Sequence, residues 1–225
     1  EGRRPQHIQA GSDWFMDTMR KAYEAYQERC DRAGLVDFAE LLLRAHELLR
    51  DNAGLLAHYR HRFGDVLVDE FQDTNAIQYG FVRLLAGDTG RVFVVGDDDQ
   101  AIYGWRGAKV ENVQRFLRDY PGASTLRLEQ NYRSTSNILN AANAVIAHNP
   151  DRLGKQLWTD AGEGDPIDLY AAYNEIDEAR FVVERIRQWV RDGGHHGECA
   201  ILYRSNAQSR AFEESLLAEQ IPYRV

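Results

Sequence analysis

The sequence predicts an α/β protein in which a helical amino-terminal segment precedes parallel β-sheets. Helical periodicity marks two segments within the first 63 residues, and no strand pattern lies between them. From residue 65 onward, short apolar strands alternate with amphipathic helices, which is the pattern of a parallel sheet covered by helices. The 225 residues are 44% apolar and include only five prolines, a composition typical of globular folding rather than disorder.

Two helices are expected before the first strand. A repeat of three to four residues predicts a helix over 13–29, with Ser12 as its cap. Its apolar positions are Phe15, Met19, Ala22 and Tyr26. A second helix over 37–50 carries a dense leucine face. Because apolar helical stripes are usually core, both helices are assigned a structural role.

Two alternating sets of strands and helices follow, separated by a polar stretch over 149–165. The predicted strands are 65–69, 91–95, 124–128, 166–172, 198–203 and 222–225. The predicted helices are 75–86, 110–119, 135–148, 175–191 and 206–219. A change from a first to a second α/β domain is expected near residue 131, where a polar hinge candidate precedes a new helix.

Composition narrows the function classes. Cys30 and Cys199 lie far apart and in no metal-ligand spacing, so reduced thiols of a cytoplasmic protein are expected. No apolar run approaches the length that crosses a membrane, so no membrane partner is expected. Taken alone, the net charge of −8 favours a small-molecule enzyme or a protein partner over a nucleic-acid binder.

Acidic clusters follow the first two predicted strands, Asp69-Glu70 after the first and 97–99 after the second. Residues 65–99 hold eight acids and two arginines, a crowding that is costly without a cation. Ligands of parallel α/β sheets bind where the strands end. There an Asp-Glu pair can hold Mg²⁺ with one carboxylate and orient the attacking water with the other, as in nucleotide hydrolases. The alternative is a solvated loop at a helix start.

The charge reverses after the second cluster. Residues 100–135 hold six Lys/Arg against three acids, with Tyr103, Trp105 and Tyr132 among them. Basic groups interleaved with aromatic rings suit a single nucleic-acid strand, because the charges meet phosphates and the rings stack on bases. For Trp105 the alternative is a ring that packs back onto the sheet.

Three segments resemble the second, third and fourth signature motifs of superfamily 1 DNA helicases of the UvrD/PcrA/Rep family. They are DEFQD at 69–73, VGDDDQAIYGWRGA at 95–108 and LEQNYRS at 128–134. The motifs stand in the family's order, and the similarity covers essentially the whole chain. The resemblance implies RecA-like parallel sheets of the P-loop NTPase type. It implies partial first and second motor domains, with a helical insertion at 1–63, the end of the first domain at 64–130 and the start of the second at 131–225.

The resemblance also implies a nucleotide site that uses ATP and Mg²⁺. By match to the family's motifs, Asp69 is the Mg²⁺ ligand and Glu70 the catalytic base. Gln100 stands where the family has a γ-phosphate sensor that links nucleotide to DNA. Tyr132 matches the adenine-stacking tyrosine, and Arg133 matches the arginine that reaches the γ-phosphate from the second motor domain.

The implied activity is movement in the 3′ to 5′ direction on single-stranded DNA, with DNA-repair proteins as further partners and ss/ds junctions as substrates. Trp105 and Tyr103 are the candidates for base stacking. Arg204 and Asn206 resemble positions that line the DNA track.

No GxxxxGK[ST] phosphate loop is found in the sequence, since Gly154-Lys155 is followed by Gln156. We therefore expect the chain to be a fragment of the motor that is inactive alone, with the phosphate loop upstream and the last motifs downstream. Two other interpretations stay open: the motor part of a helicase–nuclease subunit, and a non-catalytic remnant that binds DNA or docks a protein.

Overall fold

A parallel pair of strands and eight helices appear in the computed structural model, which describes residues 2–9, 11–88, 90–150 and 152–225. In chain order they are α1 (Trp14–Ala33), α2 (Phe38–Asp51), α3 (Ala53–Arg62), β1 (Asp65–Val68), α4 (Ala76–Ala86), β2 (Arg91–Val94), α5 (Asn112–Asp119), α6 (Ser136–Ile146), α7 (Glu175–Arg191) and α8 (Ser209–Ala218). By internal packing the chain divides into two units, Glu1–Gly162 and Glu163–Val225.

Every helix predicted from the sequence is present, with one correction at a cap and one omission. Asp13, not Ser12, caps α1, because its carboxylate accepts the backbone N–H groups of Phe15 and Met16 at 2.9 and 3.3 Å. The omitted helix is α3. It concentrates no apolar face, so the helical period that revealed the others is missing from it.

The first two predicted strands form a parallel pair. The register runs from Asp65 opposite Arg91 to Val68 opposite Val94. The pairing continues past the strands, since Val95 N–H donates to the Val68 carbonyl at 2.8 Å. The turns that follow β1 and β2 therefore leave the sheet at the same edge, as the sequence predicts for the two acidic clusters.

The other four predicted strands are wrong for the described residues. Segments 124–128, 166–172, 198–203 and 222–225 form no strand, and Leu169 is 97% exposed. A strand exists only where a neighbour completes its ladder of hydrogen bonds. An apolar pattern shows the tendency to pair but cannot supply the partner. One isolated parallel bridge, between Gln130 and Trp158, forms near the third of the predicted strands.

An aromatic core on one face of the strand pair positions the turn after β1. Phe71, Tyr79 and Phe116 are buried together, and the Phe71 and Tyr79 rings meet edge to face with centroids 5.7 Å apart. The Tyr79 hydroxyl donates to Asp119 Oδ2 at 2.7 Å. Because Phe71 belongs to both the core and the turn, α4 and α5 hold that turn in place.

The second unit is a separate helical pair. α7 and α8 pack through Val183 and Leu216, with Ile221 completing the cluster. The Asn174 side chain caps α7 by accepting the N–H groups of Ile176 and Asp177 at 3.1 and 2.9 Å.

The packing boundary after Gly162 differs from the predicted domain change at residue 131. Residues after 131 are bonded to residues before it: Trp158 N–H donates to the Glu129 carbonyl at 3.1 Å, and Arg152 Nε donates to Asp99 Oδ1 at 2.7 Å. Packing units and evolutionary domains need not coincide, so the assignment of 1–63, 64–130 and 131–225 stays a prediction.

No helix in the described part of the chain is both long and apolar enough to cross a membrane. Cys30 and Cys199 are both free and half-buried.

The aromatic core yields a stability prediction. Phe116→Ala should lower the free energy of unfolding by about 3–5 kcal/mol, because it removes a buried ring and leaves a cavity. Phe38→Ala is the matched control, since that ring is 92% exposed, and its effect should stay within about 0.5 kcal/mol. Urea unfolding of the two variants measures both values; equal losses would show that Phe116 does not anchor the core.

Candidate functional site

The turn after β1 carries two exposed carboxylates on an unusual backbone. Asp69 and Glu70 are both exposed, and Glu70 has φ 49° and ψ 44°. Its N–H donates to Asp69 Oδ1 at 2.9 Å, and the chain then enters a 3-10 turn over Phe71–Asp73. A residue other than glycine in this left-handed region stores about 1–3 kcal/mol of strain, and such strain clusters at functional sites.

A buried amide joins this turn to the one after β2. Gln72 is 1% exposed. Its Nε2 donates to Glu70 Oε2 at 2.7 Å, and its Oε1 accepts the N–H of Asp97 at 2.9 Å. Gln72 was not predicted from sequence, because a glutamine in an acid-rich turn carries no sign of burial.

Gly96 makes room for this amide. A Cβ at position 96 would lie 2.8 Å from Gln72 Oε1 and 3.3 Å from Phe71 Cβ. The first distance is too short unless the buried Gln72 side chain moves, and the second is tight, so glycine lets the backbone approach Gln72 closely enough for the Asp97 bond.

The second acidic cluster finds its cations within the chain. Arg152 forms a bidentate pair with Asp99, with Nε and Nη2 each 2.7 Å from a carboxylate oxygen. Lys155 forms an ion pair with Asp97, and the Leu153 N–H donates to Asp98 Oδ2 at 2.7 Å. The acid crowding that the sequence analysis expected to need a cation is thus relieved by two side chains that it did not identify.

The bond from Arg152 holds the pKa of Asp99 below its usual range, with Lys155 adding to the effect and burial opposing it. The same bond raises the pKa of the Arg152 guanidinium. Both shifts favour the charged pair.

The loop after this cluster presents the predicted aromatic residues. Gln100 is exposed and its Nε2 donates to Asp97 Oδ2 at 2.6 Å. Tyr103 is half-buried, with the Arg106 guanidinium 3.9 Å from its ring centroid. Trp105 is 74% exposed, so its ring does not pack back onto the sheet in this structure.

Three hydrogen bonds to Thr74 fix the far end of the loop to the first turn. Lys109 N–H donates to the Thr74 carbonyl at 2.9 Å. The buried Asn112 donates through Nδ2 to the same carbonyl at 2.9 Å and to Thr74 Oγ1 at 3.1 Å. The loop over 97–112 is therefore tied to residues 72–74 at both of its ends.

Tyr132 and Arg133 lie on an exposed turn held by Asn131, whose Oδ1 accepts the N–H of Arg133 at 2.9 Å. The Tyr132 hydroxyl donates to Gln130 Oε1 at 2.9 Å, leaving the ring 84% exposed. Within the described ranges, no hydrogen bond or ion pair joins either side chain to Glu70 or Gln100.

Arg204 and Asn206 belong to the second unit and are both exposed. The Arg204 N–H donates to Gln208 Oε1 at 2.9 Å, and the Asn206 carbonyl accepts from Ser209 Oγ at 2.9 Å. Their backbones start a 3-10 turn and α8, while neither side chain has a hydrogen-bond partner or ion pair among the residues that the structure describes.

The donor set after β1 fits a magnesium ion that is bound mostly by other ligands. The described residues contain no group of three or more His, Cys, Asp or Glu arranged to hold a metal. Mg²⁺ in nucleotide sites typically needs only one or two carboxylates, because phosphate oxygens and water complete its shell. The exposed Asp69 carboxylate meets that requirement.

In the comparison with known proteins, two protein-family models of helicase domains match the chain. The model of the UvrD/REP helicase N-terminal domain matches residues 2–121, and that of the UvrD-like helicase C-terminal domain matches residues 126–225. The Asp99–Arg152 ion pair therefore joins a residue matched by the first family model to a residue matched by the second.

Individual relatives agree with these models. DNA helicase II of Escherichia coli (strain K12) is 68% identical over all of this chain, and that of Haemophilus influenzae is 58% identical. The ATP-dependent DNA helicase PcrA of Leuconostoc citreum is 48% identical over 96% of the chain. The chain spans about a third of these relatives' length, 31%, 31% and 29% respectively.

The Asp99–Arg152 pair can be tested by a double-mutant cycle with Asp99→Asn and Arg152→Gln. These side chains are 11% and 19% exposed, so their coupling energy should be about 0.5–3 kcal/mol. The exposed bidentate pair of Asp65 and Arg91 is the matched control, with about 0.2–1 kcal/mol expected. Urea unfolding at about pH 7 gives both coupling energies. A smaller coupling energy for Asp99–Arg152 than for Asp65–Arg91 would contradict a stabilising role for the Asp99–Arg152 ion pair.

The same cycle has a defined pH dependence. The folded-state pKa of Asp99 is lowered, so its stabilisation is complete above the pKa of an unfolded aspartate, about 3.9. It is lost as the pH falls through the folded value. The coupling should therefore shrink when the cycle is repeated at about pH 3.

Proposed function

This chain belongs to the UvrD/REP helicase family, and on that basis we propose that it is part of an ATP-dependent DNA helicase that moves 3′ to 5′ on single-stranded DNA in repair. The proposal includes RecA-like motor domains of the P-loop NTPase type, with limits at residues 64 and 131. The observation that carries it is the meeting of both acidic turns at one edge of the parallel strand pair, in motifs that match the family.

The two acidic clusters differ in a way that supports a nucleotide site at the first. Arg152 and Lys155 neutralise the second cluster. Among the described residues, no ion pair reaches Asp69 or Glu70. The first cluster is therefore the one left open to a cation that arrives with the nucleotide.

Each side chain at this edge has a role in hydrolysis. Asp69 holds Mg²⁺, which supplies charge stabilisation for the phosphates when bound. Glu70 accepts the proton of the attacking water, and its carboxylate is oriented by the amide of Gln72. Gln100 lies on the neighbouring turn as the γ-phosphate sensor.

The exposed turn after residue 130 supplies the second side of the nucleotide site. Tyr132 offers an exposed ring for adenine. Arg133 offers a planar, permanently charged donor pair for the γ-phosphate. Neither side chain is bonded to Glu70 among the described residues; in the proposed site, ATP lies between them and Glu70.

The DNA site lies on the loop over 97–112. Trp105 projects an exposed ring from a tight turn, and Tyr103 sits beneath the Arg106 guanidinium. Rings and cations so placed can stack on bases and meet phosphates of single strands and of ss/ds junctions. Arg204 and Asn206, in the second unit, are further candidates for DNA contact because they resemble positions that line the family's DNA track.

The central experiment is DNA-stimulated ATP hydrolysis by the protein of the complete open reading frame. Glu70→Gln should keep ATP binding while turnover falls by about 10²–10⁴-fold, because the proton acceptor is lost. Glu163→Gln, at an exposed position outside the acidic turns and the loop over 97–112, should hydrolyse ATP like the parent. Parental turnover in Glu70→Gln would overturn the assignment of the base.

The same protein decides between the proposed motor and a non-catalytic remnant. Absence of ATP hydrolysis, both with and without DNA, would favour the remnant. Unwinding of duplexes with a 3′ tail but not of those with a 5′ tail is the result expected for the proposed direction.

Trp105→Ala tests the DNA site. Single-strand affinity should weaken by about 1–3 kcal/mol, since one stacking ring is lost, while hydrolysis without DNA stays at the parental rate. Trp14→Ala is a matched control, because that ring is 78% exposed and lies on α1. Fluorescence anisotropy at fixed salt measures both affinities; equal affinities in the two variants would contradict base stacking by Trp105.

A further inference from the structure

Gln72 is the most deeply buried polar side chain at the candidate site. A buried amide is costly unless its donor and acceptor are both paired. Most buried amides pair within a core, yet Gln72 pairs with an exposed carboxylate, Glu70, and with the backbone of a different turn at Asp97. Its bonds therefore join the turn that carries Glu70, the proposed catalytic base, to the start of the loop over 97–112, the proposed DNA site.

The bonds of Gln72 belong to a continuous chain. Gln100 Nε2 donates to Asp97 Oδ2 at 2.6 Å, and the N–H of Asp97 donates to Gln72 Oε1 at 2.9 Å. Gln72 Nε2 then donates to Glu70 Oε2 at 2.7 Å. Three successive hydrogen bonds thus lead from the start of the DNA loop to the catalytic base.

The geometry limits how far the groups in this series of hydrogen bonds can move independently. Both polar atoms of Gln72 belong to one planar amide, so a displacement of Asp97 moves the donor that holds Glu70. Gly96 lies against the amide, and Phe71 is buried beside it. Glu70 itself stands in a strained conformation, which persists only where the surroundings hold it.

We propose that Gln72 is a positioning residue that sets the Glu70 carboxylate according to the position of the loop over 97–112. Through it, occupation of the loop by DNA aligns the base with the attacking water. The inference rests on the proposed function and adds the side chain that couples the two sites.

Two substitutions separate the bonds of Gln72. Gln72→Met keeps the volume and removes both bonds. Gln72→Glu keeps an acceptor for the Asp97 N–H but replaces the donor to Glu70 with a like charge. If Gln72 only anchored the loop, Gln72→Glu would behave like the parent; a positioning role requires both variants to lose turnover.

The test uses the protein of the complete open reading frame. In both variants, kcat for DNA-stimulated hydrolysis should fall by about 10²-fold, the scale expected for a misplaced reacting group, while KM for ATP and single-strand affinity stay parental. Gln78→Met is the matched control, because Gln78 caps α4 through the Asn75 N–H and contacts neither Glu70 nor Asp97. It should keep full stimulation.

The outcomes separate the inference from the proposed function. If DNA does not stimulate ATP hydrolysis by the parent protein, the proposed function is contradicted. Stimulation in the parent that survives in Gln72→Glu would overturn the positioning role alone. If Gln72→Met fails to fold, as thermal unfolding would show, Gln72→Glu decides, since it retains the size and the bond to the loop.

Discussion

The parallel pairing of β1 with β2 is the constraint on which the rest of the site depends. Parallel strands end at the same edge, so pairing Val68 with Val94 brings two turns together that are 28 residues apart in sequence, from 69 to 97. The hydrogen bond from the Phe71 N–H to the Val95 carbonyl, at 2.9 Å, then fixes one turn to the strand that feeds the other. Phe71 is also core, so the position of the turns depends directly on hydrophobic packing.

The strand pairing brings two acid-rich turns together, so their negative charges repel each other. The two turns differ in how this repulsion is reduced. Arg152 and Lys155 are brought to the second turn from beyond α6, where they satisfy Asp99 and Asp97. The first turn receives an amide from Gln72 but, within the described ranges, no protein cation. An amide orients a carboxylate without neutralising it. In the described part of the chain, the carboxylates of Asp69 and Glu70 are therefore held by hydrogen bonds and not by an ion pair.

What could be predicted from sequence followed from local chemistry. The helices were predictable because apolar periodicity and capping are written into neighbouring residues. β1 and β2 were predictable because each is an apolar run whose partner lies within the chain. The segment over 198–203 has the same pattern but pairs with no strand in the described part of the chain. A pattern cannot reveal which pairing is completed, because that depends on residues distant in sequence.

The candidate site shows the same limit. Asp69, Glu70 and Trp105 stand in motifs that could be identified from sequence, and all three are exposed. Gln72, Arg152 and the loop anchor Asn112 were not predicted, because their importance lies in partners 25 to 53 residues away. Charge reasoning did show that residues 97–99 needed compensation. It could not show whether the cation was a metal or a side chain.

The backbone at Glu70 adds a further constraint on this site. Glycine would adopt φ 49° without penalty, so the glutamate is present despite its conformational cost. That cost is offset locally: the Asp73 N–H donates to the Glu70 carbonyl at 2.9 Å, and Asp69 accepts the Glu70 N–H. Buried Phe71 and Gln72 prevent the turn from relaxing. The strain is thus confined to Glu70, whose carboxylate faces solvent. If Glu70 had a strand-like backbone, the chain would continue along β1 and the bond to Gln72 would break.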